Sequence, residues 1–397
     1  MFNKLIVLSI IFFPLHNFGL HIYGSRYDIT SFIILLITVA LTVKNDQLNK
    51  KTILFLFLFL FSQLLIYFVN GTTPFYRTFS GMVWVGGLLL LLLSAKRITY
   101  NPIVIYKTIM MVILISAVLL LFQYFILGDA RPKATFDEPS KAALAVFSAA
   151  ASIVGLLYFF KIPSKYSMGL FVILIISFLS GLITFSMHIV TFILMIIIIL
   201  FLKPPLTFTK IRSRQLLLFS FISILFLYGL ISLSEMPYFL SKIDIFNVLN
   251  NNLSVLSWRT GFDQMVASIN QSYLLGKGLG STGFIDFESN SLDKLLYLTP
   301  MGLNLNDAYS LSFRLIIEIG LLLFIVIVYY FIKKLLIFKK YLSNKIYEVQ
   351  LPNSIPITFI FLFSTSIIIG SLIKEPLYPA SSLYLGTMLF VSIKINP

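Results

Sequence analysis

At 397 residues, 58% of them hydrophobic and 11% charged, with a mean hydropathy of +0.96, the chain is far more apolar than a soluble protein. Soluble chains average about 45–50% apolar and about 25% charged residues, so the composition excludes a string of soluble domains and predicts a polytopic all-α membrane protein. There is no cysteine, which excludes disulfides and thiolate metal sites, and the net charge of +15 has to be read by where it falls along the chain.

Apolar runs predict about twelve transmembrane helices within a single membrane domain spanning 1–397. The first, 4–20, begins like a signal peptide, with an apolar stretch after Lys4. No small-residue cleavage site follows and more spans come at once, so it reads as a retained helix. Next come 29–43, 52–69, 78–94 and 102–127. The loop 128–140, GDARPKATFDEPS, leads into 141–160. The run 166–202 is too long for one span and is divided at 181–186 into 166–181 and 185–202. A helix over 215–233 is followed by 74 residues, 234–307, without a span. The last three helices are 308–332, 354–373 and 377–394.

Lysine and arginine give the orientation. With the N-terminus inside, the inner segments carry 18 Lys and Arg residues against two acids, Asp46 and Glu348. This excess fits the positive-inside rule with both termini cytoplasmic. The basic balance reflects sidedness and attraction to anionic membrane lipids, and no nucleic-acid partner is implied. The segments 128–140 and 234–307 then lie outside. Within the second, LSWRTGFDQMVASI has Leu256, Trp258, Phe262, Val266 and Ile269 near helical spacing, which predicts an amphipathic helix able to lie along the membrane surface. A short helix is predicted over 291–298, before Pro300 and Gly302.

The next stretch, LLGKGLGSTGF at 274–284, contains Gly278, Gly280 and Gly283 in the G-x-G-x-x-G spacing of dinucleotide sites. No βαβ unit surrounds it, no acid follows at the required distance, and it lies outside. A glycine-rich turn is the plainer reading, with backbone amides able to approach an anion and Lys277 beside them.

Several charged residues are candidates for chemistry. Arg314 and Glu318 stand four apart within an apolar helix, on one face, where charges are costly; they predict either a packing ion pair or an arginine facing a substrate cavity. Arg259 on the amphipathic helix can meet a phosphate or simply face solvent. Arg131 and Lys133, close to Asp137 and Glu138, suit diphosphate binding beside a general base, and equally an ordinary helix start with N-terminal acids and Ser140 as cap. The three histidines, His16, His21 and His188, are scattered and predict no metal site; His188 reads as a satisfied polar residue at a helix start.

Taken together, ATFDEPSKAALA, WRTGFDQM followed by LLGKGLGSTGF, and NDAYSLSFRLIIEIGLLLF make the chain resemble the O-antigen polymerase and O-antigen ligase superfamily of bacterial polysaccharide assembly. The resemblance covers most of 100–335. The ligases carry a His-Asn pair ahead of the next span, whereas this chain has Asn306-Asp307 and no histidine in 234–307, which favours a polymerase.

The resemblance implies a GT-C-like glycosyltransferase architecture in the bacterial cytoplasmic (inner) membrane. It implies a substrate of oligosaccharide repeat units on undecaprenyl diphosphate, no cofactor, and partners that include a chain-length regulator and a flippase. Arg259 and Arg314 would contact the diphosphate first, then Arg131, Lys133 and Lys277. Glu138 and Asp137, then Asp307 and Glu318, would serve as base. A ligase, a lipid-linked oligosaccharide flippase and a purely structural membrane protein are the competing readings. A transporter should show related halves and broken helices near the midplane.

Overall fold

A computed structural model of the chain describes residues 2–15, 20–22, 25–27, 29–44, 50–70, 73–94, 100–136, 138–160, 162–202, 241, 251–272, 274–300, 305, 308–345, 354–374 and 381–393. These residues form a helical bundle. In chain order it contains α1 (Phe2–Phe12), β1 (Leu20–Ile22), β2 (Ser25–Tyr27), α2 (Ile29–Lys44), α3 (Lys50–Asn70), α4 (Phe75–Ser94), α5 (Pro102–Phe125), α6 (Pro139–Phe159), α7 (Ser164–Leu182) and α8 (Ile189–Phe201). There follow α9 (Leu253–Ser272), α10 (Asn290–Leu298), α11 (Leu311–Ile319), α12 (Leu321–Lys345), α13 (Ser354–Lys374) and α14 (Ser381–Ser392). Among the described residues six helices are long and apolar enough to cross a membrane, in α4, α5, α6, α7, α12 and α13, which makes this a helical membrane protein. Five shorter apolar helices lie in α1, α2, α3, α8 and α14.

Small side chains decide which helix is central. The α6 sequence KAALAVFSAAAS lets neighbours approach closely, and 94% of its spanning window is buried, against α7, α8 and α13. Only 11% of the α12 window is buried. Leu322, Val326 and Tyr329 of α12 face outward, as does Phe57 of α3, so these helices carry apolar faces on the outside of the bundle. Helix starts follow local chemistry. Asn101 caps α5, its Oδ1 accepting from the Ile103 and Val104 amides, with Pro102 at the first helical position.

The expected division of 166–202 holds: α7 ends at Leu182, and α8 begins at Ile189 after a turn. The amphipathic helix and the short helix after the glycine run are present as α9 and α10. The expected helix 215–233 lies outside the described residues. Two expectations are corrected. The first helix stops at Phe12 rather than residue 20, because Pro14 cannot donate within a helix and crowds the turn before it; a short antiparallel ribbon follows, pairing Leu20 with Tyr27 and Ile22 with Ser25. The expected helix 308–332 is two helices, broken at Gly320, and the second runs on to Lys345. Gly320 has φ +87° and ψ 157°, a conformation open mainly to glycine.

Candidate functional site

The break at Gly320 explains the glycine run. The turn after α9 lays its backbone against the broken helix. The Lys277 amide donates to the Ile317 carbonyl (2.8 Å) and the Gly278 amide to that of Glu318 (3.0 Å), satisfying carbonyls at the end of α11. A Cβ at Gly276 would stand 2.5 Å from the Gly320 nitrogen, and one at Gly320 would stand 2.5 Å from the Leu274 oxygen. Glycines are required here for backbone-to-backbone contact. The run is a glycine-rich turn, as the plainer reading has it, and it latches onto α11; among the described residues no βαβ unit surrounds it.

Arg314 and Glu318 are buried inside this arrangement. The Arg314 Nε donates to Glu318 Oε1 at 3.0 Å, and Thr282 of the glycine turn donates its hydroxyl to the same oxygen at 2.8 Å. The Thr282 carbonyl accepts from Arg77 Nη1 of α4 (3.2 Å), and Gln63 of α3 accepts from the Leu279 amide (3.1 Å). Glu318 has no exposed surface. Of the two readings open for this pair, its contacts are those of a pin that fastens turn, broken helix, α3 and α4 together.

A different set of candidates meets at a cavity of about 520 Å³, lined by Asp129, Arg131, Lys133, Glu138, Pro139, Ser140, Ser254, Tyr309 and Lys374. The loop after α5 is built to present the first four. Gln123, in the last turn of α5, accepts from the Lys133 and Ala134 amides (3.0 and 2.7 Å) and donates to the Ala134 carbonyl (3.2 Å). Asp129 Oδ1 accepts from the Arg131 amide at 3.0 Å. Phe136 is wholly buried, edge-on to Phe13, just past the end of α1, at 5.7 Å, and anchors the far end. Pro139 takes the first position of α6, so Glu138 is the N-cap, and the expectation of Ser140 as cap is corrected. The Ser140 hydroxyl instead donates to Glu138 Oε2 at 3.0 Å, fixing the carboxylate at the cavity wall.

Three cations, two carboxylates and the positive end of α6 therefore border one space. Such a wall suits a multiply charged anion, with a carboxylate in reach of a proton on its neighbour. Lys374 and Tyr309 were not legible as site residues. Lys374 ends an otherwise uncharged span, a signal that only gains meaning once α13 is seen beside α6. His188 lies among residues one turn below. A Cβ at Gly370, one turn before Lys374, would stand 3.3 Å from its Nδ1; that nitrogen is 3.2 Å from the Thr191 hydroxyl, and the buried Nε2 has no hydrogen-bond partner among the described residues.

Arg259 and Lys277 do not line this cavity. Arg259 is five residues beyond Ser254, turned about 140° around α9 from it. Asp137 and Asp307 lie outside the described residues. Among the described residues, no group of three His, Asp or Glu could hold a metal.

Beside the charged cavity lies an apolar groove of about 360 Å³, walled by α3, α4, α11, α12, α13 and α14. Leu311 and Leu372 line it, two residues along the chain from the cavity residues Tyr309 and Lys374. The partition between them is tied by the Ser310 hydroxyl, which donates to the Leu372 carbonyl at 2.8 Å. The fold and site thus define a helical membrane protein whose charged cavity adjoins an apolar groove. No protein-family profile matches the chain, and no curated protein sequence matches it.

Proposed function

We propose that the chain is a membrane glycosyltransferase, the polymerase of undecaprenyl-diphosphate-linked oligosaccharide repeat units for O-antigen or capsular polysaccharide, working at the outer face of the cytoplasmic membrane. One observation carries the reading: a cation-rich cavity shares a wall with an apolar groove. That pairing suits a ligand that is anionic at one end and hydrocarbon at the other. The family resemblance around the cavity loop and the glycine latch supports the sugar chemistry.

In this scheme the hydroxyl of one repeat unit attacks the anomeric carbon of another, and its proton passes to Glu138. The carbon–oxygen bond to the diphosphate breaks and the electron pair leaves with the lipid diphosphate. Arg131, Lys133, Lys374 and the N-terminus of α6 face the charge as it develops, which lowers the barrier. The leaving group already holds the energy for transfer, so no nucleotide site is needed.

The test is a deletion strain whose surface polysaccharide is run on a gel beside its lipid-linked intermediates. A polymerase leaves single repeat units on the final acceptor and removes the ladder. Long chains stranded on the carrier lipid would make the protein a ligase, and single units held at the inner leaflet would make it a flippase.

A further inference from the structure

Helix α9 is inside out for a helix in water. Ser257, Thr260, Gln264 and Ser268 are all buried. At 100° per residue they fill an arc of roughly 80° on the protein side. Trp258, Phe262, Val266 and Ile269 fill an arc of roughly 80° on the opposite side. Phe262 and Val266 are 41% and 39% exposed, and Trp258 and Ile269 are half-buried. The inward hydroxyl of Ser268 donates to the Ile317 carbonyl at 3.4 Å, while Thr260 Oγ1 and Gln264 Oε1 are buried with no hydrogen-bond partner among the described residues. In water the opposite arrangement would be favoured, with the amide and hydroxyls solvated and the aromatic stripe buried. A helix that turns unsatisfied polar atoms inward and aromatic rings outward is arranged for hydrocarbon outside.

The surroundings agree. Trp258 and Phe262 stack in parallel at 5.9 Å, and both rest on Phe313 of α11. Leu311, Leu315 and Ile319 of α11 line the apolar groove among the membrane spans, so α11 and the helix packed on it share the depth of that groove. Further apolar side chains are exposed at the break after α11. The Leu275 backbone lies against Gly320, two residues before Leu322, and Leu275 and Leu322 are 66% and 53% exposed.

We propose that the Trp258–Phe262–Val266 stripe is immersed in the acyl chains of the leaflet bordering the charged cavity, so that α9 is a membrane-inserted helix packed on α11 rather than part of a water-exposed domain. The occupant of the stripe is phospholipid hydrocarbon. Ser254, one turn before Trp258, lines the cavity, so the cavity mouth then lies at the lipid headgroups. The proposal stands whether or not the protein is a polymerase.

The chain has two tryptophans, and Trp84 is buried with its carbonyl accepting from the Tyr384 hydroxyl. Trp84→Phe keeps that backbone bond and leaves Trp258 as the sole reporter. The full chain is reconstituted into phosphatidylcholine vesicles with bromines near the headgroup or near the chain end. The expected result is loss of Trp258 emission in brominated lipid, greater for bromines near the headgroup, with little quenching by aqueous acrylamide. Emission indifferent to bromine and quenched by acrylamide would overturn the proposal. So would emission indifferent to bromine but altered by added oligosaccharide, which would assign the aromatic stripe to sugar stacking. If Trp84→Phe does not fold, the difference between wild-type and Trp258→Phe emission gives the same reading.

Discussion

At the scale of single residues, the Arg314–Glu318 pair shows how one motif can be read two ways. Four-residue spacing put both charges on one face, and burial with Thr282 as third partner makes the pair a pin. Removing one member of a buried pair strands the other charge at a cost of about 3–5 kcal/mol, whereas replacing both with apolar residues costs much less. Arg314→Ala is therefore expected to lower the melting temperature of the detergent-solubilised protein sharply, and Arg314→Met with Glu318→Leu to recover most of the loss. Unchanged melting in Arg314→Ala, with activity lost, would instead make Arg314 a substrate contact, the role the family resemblance assigned it. In the cavity, Arg131, Lys133 and Lys374 carry the opposite expectation. Alanine at any one should leave melting unchanged and lower transfer by about a hundredfold, the usual loss on removing one group that meets developing charge.

At the scale of elements, the glycine latch sets the geometry of α11. Gly276 and Gly320 both have positive φ and both touch backbone on the facing segment. Alanine at either should cost about 1–3 kcal/mol through strain alone, read as a lower melting temperature. Gly169, in the middle of α7 with open space around it, is the control; alanine there should be neutral or stabilising by up to about 1 kcal/mol. The loop clamp is tested separately. Gln123→Ala should speed hydrogen exchange at the Lys133 and Ala134 amides while leaving α6 protected.

Much of this was legible. Apolar run lengths gave the helical membrane class and the six spans found among the described residues, Gly181 and Ser186 marked the break between α7 and α8, and period gave α9. The break at Gly320 was not, because IIEIGLLLF reads as one continuous apolar helix. Only the opposing backbone of the 274–278 turn makes a left-handed glycine the better solution. The facing of α9 was missed for a similar reason. Period alone finds the apolar stripe, but which side meets the protein is a tertiary fact.

At the scale of the whole molecule, residues remote in sequence come together because α6, with its alanines, sits at the centre and α13 packs along it. The 129–140 loop, the start of α9, Tyr309 and the end of α13 converge on the cavity, and α11 to α14 close the groove beside it. The sequence puts Glu138 first as base, but for the diphosphate it ranks Arg259 and Arg314 above Arg131 and Lys133. A lone arginine among apolar residues is conspicuous in one dimension, while a cavity assembled from four segments is not.

The central claim is that this cavity and groove receive a lipid diphosphate and transfer its glycan. The most direct measurement uses the purified chain in vesicles containing only undecaprenyl-diphosphate-linked repeat units, with no nucleotide and no other protein, and separates the lipid-linked products by size. The account predicts a ladder longer than one repeat with release of undecaprenyl diphosphate, both lost in the Arg131→Ala, Lys374→Ala double variant. Single units that remain single, in vesicles where the protein is folded, would contradict it.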